Sequence, residues 1–331
     1  MGLKTINKFI NTEIENVTVD IHVIGKYPQG ESVIFILNIN EIPEYCLVVD
    51  YCDENLYLIK QKIFSKYNIS NINLLCWSHP HQDHSIGIQE LAKEYCNKNT
   101  NILLPIGLEN VSNKFDTYIK STYDYFSKIN KNRTQIHGIV RYASEYKQIE
   151  KIKYQGIKNK VDLYIETYSP IDKRINNIRN LIIPNMNDYS ILMSITVNDR
   201  IIIFASDIED NSINDIINNC EIFENVIFVK IPHHGSISSK KMLNAINTSL
   251  ENTICVSTIY ANNGRDCSPN PHILKEYKRT CNKVFCTSSK YVKNINTNKD
   301  YGIVSVRMKI PTTLKLIEDF EYDFDGDVME I

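Results

Sequence analysis

Three of the chain's eight histidines fall within six residues, at His79, His81 and His84, with Asp83 among them. So dense a set of imidazole and carboxylate groups restricts the fold, because it needs a place where the side chains converge instead of spreading into solvent. The run at 72 to 77 reads as a short buried strand, and just past a strand residues two apart point to the same side. His79 and His81 then face one ion. Asp83 and His84, where the chain turns into a helix expected from about 86 to 96, reach a second. Imidazole and carboxylate donors without thiolate suit Zn²⁺ or Mn²⁺ in an open, catalytic site rather than a closed structural one.

The rest of the chain supplies a sheet-rich scaffold for that cluster. Runs at 17 to 25, 31 to 39 and 45 to 52 read as strands broken by the Pro28-Gln29-Gly30 turn, and a helical stretch follows at 54 to 67. Further strands are expected at 101 to 105, 161 to 168, 189 to 197, 200 to 206, 225 to 231, 253 to 258, 283 to 287 and 301 to 308. Helices at 210 to 220 and 271 to 280 alternate with them, the pattern of an α/β sheet. Residues 107–160 differ, being polar, tyrosine-rich and basic, with ten Lys or Arg between Lys120 and Lys160 against three acids. This segment reads as an insertion or lobe. The tail 318–331, with seven acids and no base, reads as solvated or frayed.

At 331 residues, 43% hydrophobic and 23% charged, the chain can bury a full core as a single domain, residues 1–331. A formal charge of −2 excludes polyanion binding by the whole surface and leaves it to a local patch. Nine cysteines, odd in number and without a CxxC pair, fit buried, reduced thiols and a reducing compartment. The N-terminus lacks the apolar run of a signal peptide, and no 18 apolar residues occur in a row, so a cytoplasmic protein without membrane contact is expected. His22, His137 and His272 have no partner nearby in sequence and read as structural or surface residues.

Beyond the histidine cluster, four short motifs carry a resemblance: Gln29-Gly30-Glu31-Ser32, Asn187-x-x-Ser190, Phe204-Ala205-Ser206-Asp207 and Pro232-His233-His234-Gly235-Ser236. With His79-x-His81-x-Asp83-His84 after a strand ending in Asp50, they resemble the metallo-β-lactamase superfamily, and within it the nuclease-like domain of the competence protein ComEC. The resemblance covers about residues 20 to 290. It implies a four-layer αββα sandwich with a basic, tyrosine-rich insertion and a site for two divalent ions, Zn or Mn, at one edge. Asp207, closing the apolar run IIIFAS, would bridge the two ions, and His234 would join Asp83 and His84 on the second. His233 would contact phosphate or protonate the leaving oxygen, although the roles of His233 and His234 are interchangeable at this stage. Asp50 would orient a metal-bound histidine from behind. Many members supply a third histidine about twenty residues before the bridging aspartate; here Asn187 or Asp188 stands in that stretch as a substitute ligand.

Asp83, Asp207 and His233 are thus the expected catalytic groups. Lys128, Lys131 and Arg133 of the basic segment, with Ser236, are the expected contacts to substrate, and tyrosines 123, 125, 142, 146 and 154 are available for base stacking. The expected activity is phosphodiester hydrolysis by a metal-bridging hydroxide on DNA, RNA or a small nucleotide. A carbon-centred hydrolase of the lactonase, thioesterase or β-lactamase type, or a non-catalytic binding module, are the competing readings.

Overall fold

The computed structural model describes residues 5–131, 138–178, 185–219, 223–246, 252–262, 266–288, 300–311 and 319–331. Among them two large sheets form. One runs in the order Phe320–Gly326, Tyr301–Lys309, Val17–Lys26, Glu31–Ile39, Ile42–Val49, Leu74–Cys76, Asn101–Pro105 and Ile139–Ala143. The other runs Ile6–Phe9, Lys147–Gln155, Lys160–Thr167, Met193–Val197, Arg200–Phe204, Val226–Lys230, Ile254–Ser257, Lys283–Cys286 and Met329–Glu330.

In each sheet an antiparallel meander passes into a parallel half. Parallel neighbours need a crossover, usually helical, and the helices lie between just those strands. Ile88–Tyr95 and Thr117–Lys131 connect the parallel strands of the first sheet, and Asp210–Asn219 and Pro271–Thr280 those of the second. Period-two alternation then divides each strand between two cores. Val17, Val19, Ile21 and Val23 join Phe35, Leu37, Ile202, Phe204 and Phe228 in the cluster between the sheets. Ile24, Ile34 and Ile36 face the other way, against Leu58, Ile63, Leu91 and Phe126. On the far side Ile203, Val229 and Cys255 pack against Ile213, Ile216, Leu274 and Tyr277. These three clusters define four layers, helix on sheet on sheet on helix, the αββα sandwich of the metallo-β-lactamase fold.

Three segments depart from the sequence-based expectation in ways that have a physical reason. The helix at 54 to 67 is interrupted by a π-type turn at Lys60–Phe64, between short α segments at Tyr57–Ile59 and Ser65–Tyr67. Segment 107–160 is built into the sandwich: Thr117–Lys131 packs outside, Ile139–Ala143 extends one sheet and Lys147–Gln155 the other. The acidic tail is paired along Phe320–Gly326 with Tyr301–Lys309, because Phe320, Tyr322 and Phe324 alternate with its acids. Phe320 and Tyr322 lean on the central core, while Asp323 and Asp325 reach Lys66 and Lys62 at 3.1 and 2.9 Å. Charge content hid a period-two strand.

Cys46, Cys52, Cys76, Cys96, Cys255, Cys281 and Cys286 are buried free thiols. Cys220 and the side chain of Cys267 lie outside the described residues, as does His137. No described helix is long and apolar enough to cross a membrane.

Candidate metal centre at the strand ends

Ligands in open α/β sheets bind beyond the carboxyl ends of parallel strands, and the sequence motifs gather there from both sheets. Asp50 follows Ile42–Val49, His79 to His84 follow Leu74–Cys76, Asp207 follows Arg200–Phe204, and His233 and His234 follow Val226–Lys230. The Ser206 hydroxyl donates to Ser78 Oγ at 2.7 Å, and the Ile191 N–H to the Ser78 carbonyl at 3.1 Å, which ties the two sheets together at the site. Asp50, Ser206, His233 and His234 all adopt left-handed backbone, at φ 55°, 44°, 47° and 50°. Such strain on non-glycine residues is held only where the surroundings over-determine it. Gly235 continues the turn at φ +77°, where a Cβ would meet Pro269 at 3.0 Å.

The Asp207 carboxylate is buried at the centre. Its Oδ2 lies 3.9 Å from His79 Nε2 and 3.5 Å from His234 Nε2, and its Oδ1 lies 3.6 Å from His84 Nε2. His79 Nε2 and His81 Nδ1 are 3.0 Å apart, so His79, His81 and Asp207 form one compact donor group. On the other side Asp83 Oδ2 sits 3.3 Å from His84 Nε2 and 3.2 Å from His234 Nε2. Asp83 Oδ2, His84 Nε2, Asp207 Oδ1 and His234 Nε2 are buried without a hydrogen-bond partner. Four orphaned polar atoms facing one another are costly in a dry interior, and a divalent cation satisfies all of them at once.

Burial and mutual charge set the protonation of the cluster. Burial, reinforced by His84 and His81, holds His79 well below the usual imidazole range, and burial lowers His81 as well. Burial alone would raise the two carboxyls, but His84 and His234 around Asp83, and His234, His84 and His233 around Asp207, hold both well below the carboxylate range. His84 goes the other way: burial works against its charge, but Asp83, Asp207 and Asp50 outweigh it and hold the ring well above the usual imidazole range, so a metal ion taking its Nε2 would displace a proton.

Behind the donors lies a layer that fixes their orientation. Asp50 Oδ2 accepts from His84 Nδ1 at 2.7 Å and from the Ser78 hydroxyl at 2.5 Å, and Oδ1 accepts the Ser78 N–H at 2.7 Å. With Nδ1 so held, Nε2 is the atom turned to the centre. His234 Nδ1 lies 2.8 Å from the Thr258 hydroxyl and 3.2 Å from Glu31 Oε2. Glu31 belongs by proximity to the His84, Asp207 and His234 group, yet its oxygens face the far Nδ1 atoms of both rings, at 3.2 and 3.9 Å. Its charge is matched by the buried Lys230, Nζ to Oε2 2.6 Å, so it supports the imidazoles from behind. Tyr260 stacks on the His234 ring at 5.2 Å between centroids.

His233 stands apart from the ligand cluster, a quarter exposed at the mouth, with Nε2 3.9 Å from Asp207 Oδ2. Its Nδ1 meets Ser238 Oγ at 2.9 Å and Glu209 Oε1 at 3.3 Å. Glu209 is itself held by Asn185 Nδ2 at 2.8 Å and Asn187 Nδ2 at 3.3 Å. The hydrogen bond from His233 pulls Glu209 down to about 2; on His233, burial works against the charge and Glu209 outweighs it, raising its pKa.

The other expected residues divide. Asn187 faces Glu209 and keeps a buried, unpartnered Oδ1, whereas Asp188 sits among Arg174, Glu209, Asp215 and Ser212. The Ser236 hydroxyl caps the 3₁₀ segment Ile237–Ala245 by accepting from the Ser238 N–H. Lys128 is exposed on Thr117–Lys131; Arg133 and the side chain of Lys131 lie outside the described residues. The tyrosines expected to stack on bases are engaged in packing: Tyr154 is buried, Tyr123 meets Phe115, Tyr125 meets Phe126, and Tyr146 meets Tyr168. His22 is buried against Ser305 Oγ at 2.8 Å, and His272 is exposed.

Glu31, Lys230, Thr258 and Glu209 were not singled out from the sequence. Lys230 gave the clearest signal, a lone cation inside the buried strand run Val226–Lys230. Glu31 stands in the Gln29–Ser32 turn motif, where nothing local marks its carboxylate as part of a site.

Fold and site together define a metallo-β-lactamase-fold protein with a buried His/Asp/Glu cluster that could hold divalent metal. No family model matches the chain, and no curated protein matches it in sequence. Similar solved structures include Zn²⁺-bound PqqB from Methylobacterium extorquens, 9% identical over 66% of this chain and 64% of that chain, with a TM-score of 0.36. The chain therefore spans just under two thirds of that protein. A second is a new diphosphatase from the PhnP family, 8% identical over 89% of this chain and 99% of that chain, with a TM-score of 0.44.

Proposed function

We propose that this protein is a metal-dependent phosphodiesterase of the ComEC-like kind, acting on the phosphodiester of a small nucleotide or a short stretch of nucleic acid. The observation that carries the proposal is the placement of Asp207 between two donor groups, His79 with His81 and Asp83 with His84 and His234, beside a half-buried His233. These six donors would hold two divalent ions, Zn²⁺ or Mn²⁺. A pair of such ions supplies Lewis acidity for phosphate oxygens and a nucleophile at neutral pH.

The chain's own residues do the rest. Glu209 and Ser238 hold the Nδ1 side of His233, which directs Nε2 toward Asp207 and the mouth. A proton held at Nε2 is placed to reach the departing oxygen of a phosphodiester. Asp50 and the Glu31–Thr258 pair keep His84 and His234 in the ligating orientation. The orphaned Oδ1 of Asn187 supports an oxygen donor where many relatives carry a third histidine, which favours phosphoryl over carbon-centred substrates.

The packing of the tyrosines favours a small substrate over a long polymer, as does the local pairing of Lys120 with Asp124, Lys158 with Glu13 and Lys160 with Asp162. Lys128, with Lys131 and Arg133, remains the proposed source of cations for further phosphates.

The test is turnover of bis(p-nitrophenyl) phosphate and a nucleotide panel by protein reconstituted with Mn²⁺ or Zn²⁺, beside the variant Asp207→Asn. Close to two metal ions per chain, phosphodiester cleavage, and its loss in Asp207→Asn with an unchanged circular dichroism spectrum are expected. Turnover of a lactone or thioester panel without phosphodiester cleavage would overturn the substrate class, and undiminished activity in Asp207→Asn would remove the site.

A further inference from the structure

Two thiols face each other in the core between the second sheet and its helices. Cys255 lies on Ile254–Ser257 and is fully buried; Cys281 follows Pro271–Thr280 as its C-cap and is 7% exposed. Their sulphurs are 3.1 Å apart, with the Cys255 S–H donating to Cys281 Sγ. The backbone on both sides is fixed. The Cys281 N–H donates to the Tyr277 carbonyl at 2.8 Å, and Asn282 N–H to the Thr253 carbonyl at 2.9 Å. Cys255 itself sits in parallel register with Val284, three residues beyond Cys281. A disulfide needs the sulphurs at about 2.05 Å, so closure asks for roughly 1 Å of side-chain movement with no change of strand pairing.

We propose that Cys255 and Cys281 form a reversible intramolecular disulfide by exchange with a low-molecular-weight disulfide such as oxidised glutathione. Cys281 is the attacking residue, since it is the less buried of the two and its sulphur is the hydrogen-bond acceptor. Its thiolate, formed by loss of a proton to water, attacks one sulphur of the oxidant, makes a mixed disulfide and releases one thiolate. Cys255 then loses its proton, attacks Cys281 Sγ and displaces the second thiolate. Two S–H bonds are replaced by one S–S bond, and the oxidant is reduced to two thiols. Entry requires only local opening at the end of the helix, the kind of fluctuation that costs far less than global unfolding.

The loop so closed is not a neutral one. It carries Thr258, whose hydroxyl meets His234 Nδ1 at 2.8 Å, and Pro269, which abuts Gly235. The cross-link therefore fastens the segment on which His234 rests. With the cysteines 26 positions apart, loop-closure entropy predicts a rise in Tm of about 5 °C for a chain of this length.

The test incubates the full-length protein with oxidised glutathione, alkylates the remaining thiols and maps peptides by mass spectrometry. The expected result is a Cys255–Cys281 linked peptide, two hydrogens lighter than its parts, together with the higher Tm, both reversed by dithiothreitol and both absent in Cys281→Ser. Recovery of both cysteines in alkylated form, or linkage of either to a different cysteine, would overturn the proposal. A linked protein that melts no higher than the reduced one would overturn the claim that the bond fits the native fold.

Discussion

Replacing Lys230 by methionine keeps most of the side-chain volume and removes the ammonium that lies 2.6 Å from Glu31 Oε2. Both groups are buried, so Glu31 would keep only the Thr258 hydroxyl, at 2.5 Å, and the Nδ1 edges of two imidazoles. Removing one partner of a buried ion pair costs about 3–5 kcal/mol, because it strands the other charge, whereas removing both together is close to neutral. Unfolding entropy of about 2.1 cal/mol/K per residue over 331 residues gives about 0.7 kcal/mol/K. Lys230→Met should therefore lower Tm by about 4–7 °C, and adding Glu31→Gln should restore most of it. Because Glu31 braces His234, the single variant should also bind metal roughly 10–100-fold more weakly, which metal competition with a chelator would measure. Melting curves of parent, single and double variants, recorded metal-free and metal-loaded, decide the matter. A single variant that melts within a degree of the parent would refute the buried pair, and a double variant less stable than Lys230→Met would refute the charge-stranding argument.

Other expectations follow from the same geometry. Asp50→Asn leaves one amide oxygen for the Ser78 N–H, the Ser78 hydroxyl and His84 Nδ1, and should weaken metal binding roughly 10–100-fold while leaving the circular dichroism spectrum intact; equal affinity would exclude Asp50 from the centre's support. Glu209→Gln should lower kcat on a phosphodiester by roughly tenfold to a hundredfold at constant KM, part of the 10²–10⁴ that a positioned proton donor contributes, and a change in KM alone would assign Glu209 to binding. Burial depresses His22 from 6.5 to about 4, so it takes up its proton in the unfolded chain first. Its contribution is complete above pH 6.5 and is lost as pH falls toward 4, at up to about 1.4 kcal/mol per pH unit. His22→Gln should flatten urea midpoints across that window, and a variant with the parent's acid slope would contradict the assignment.

Which metal-donor side chains the chain carries, and at which strand ends they lie, is legible in the sequence. His79-x-His81-x-Asp83-His84, Asp207 and His233-His234 each follow an apolar run, and period two fixes where a strand's carboxyl end must be. No local pattern records how those side chains are braced. Lys230, Glu31 and Thr258 lie far apart in the chain yet share one carboxylate oxygen, and only the pairing of the two sheets brings them together. The fold likewise set the Asn187 amide against Glu209, the partner of His233, and it turned the acidic tail into a strand by giving Phe320 and Tyr322 a core to cover. The physical reason is the same in each case: strand ends are local and periodic, whereas burial and charge compensation are sums over neighbours that the fold alone selects.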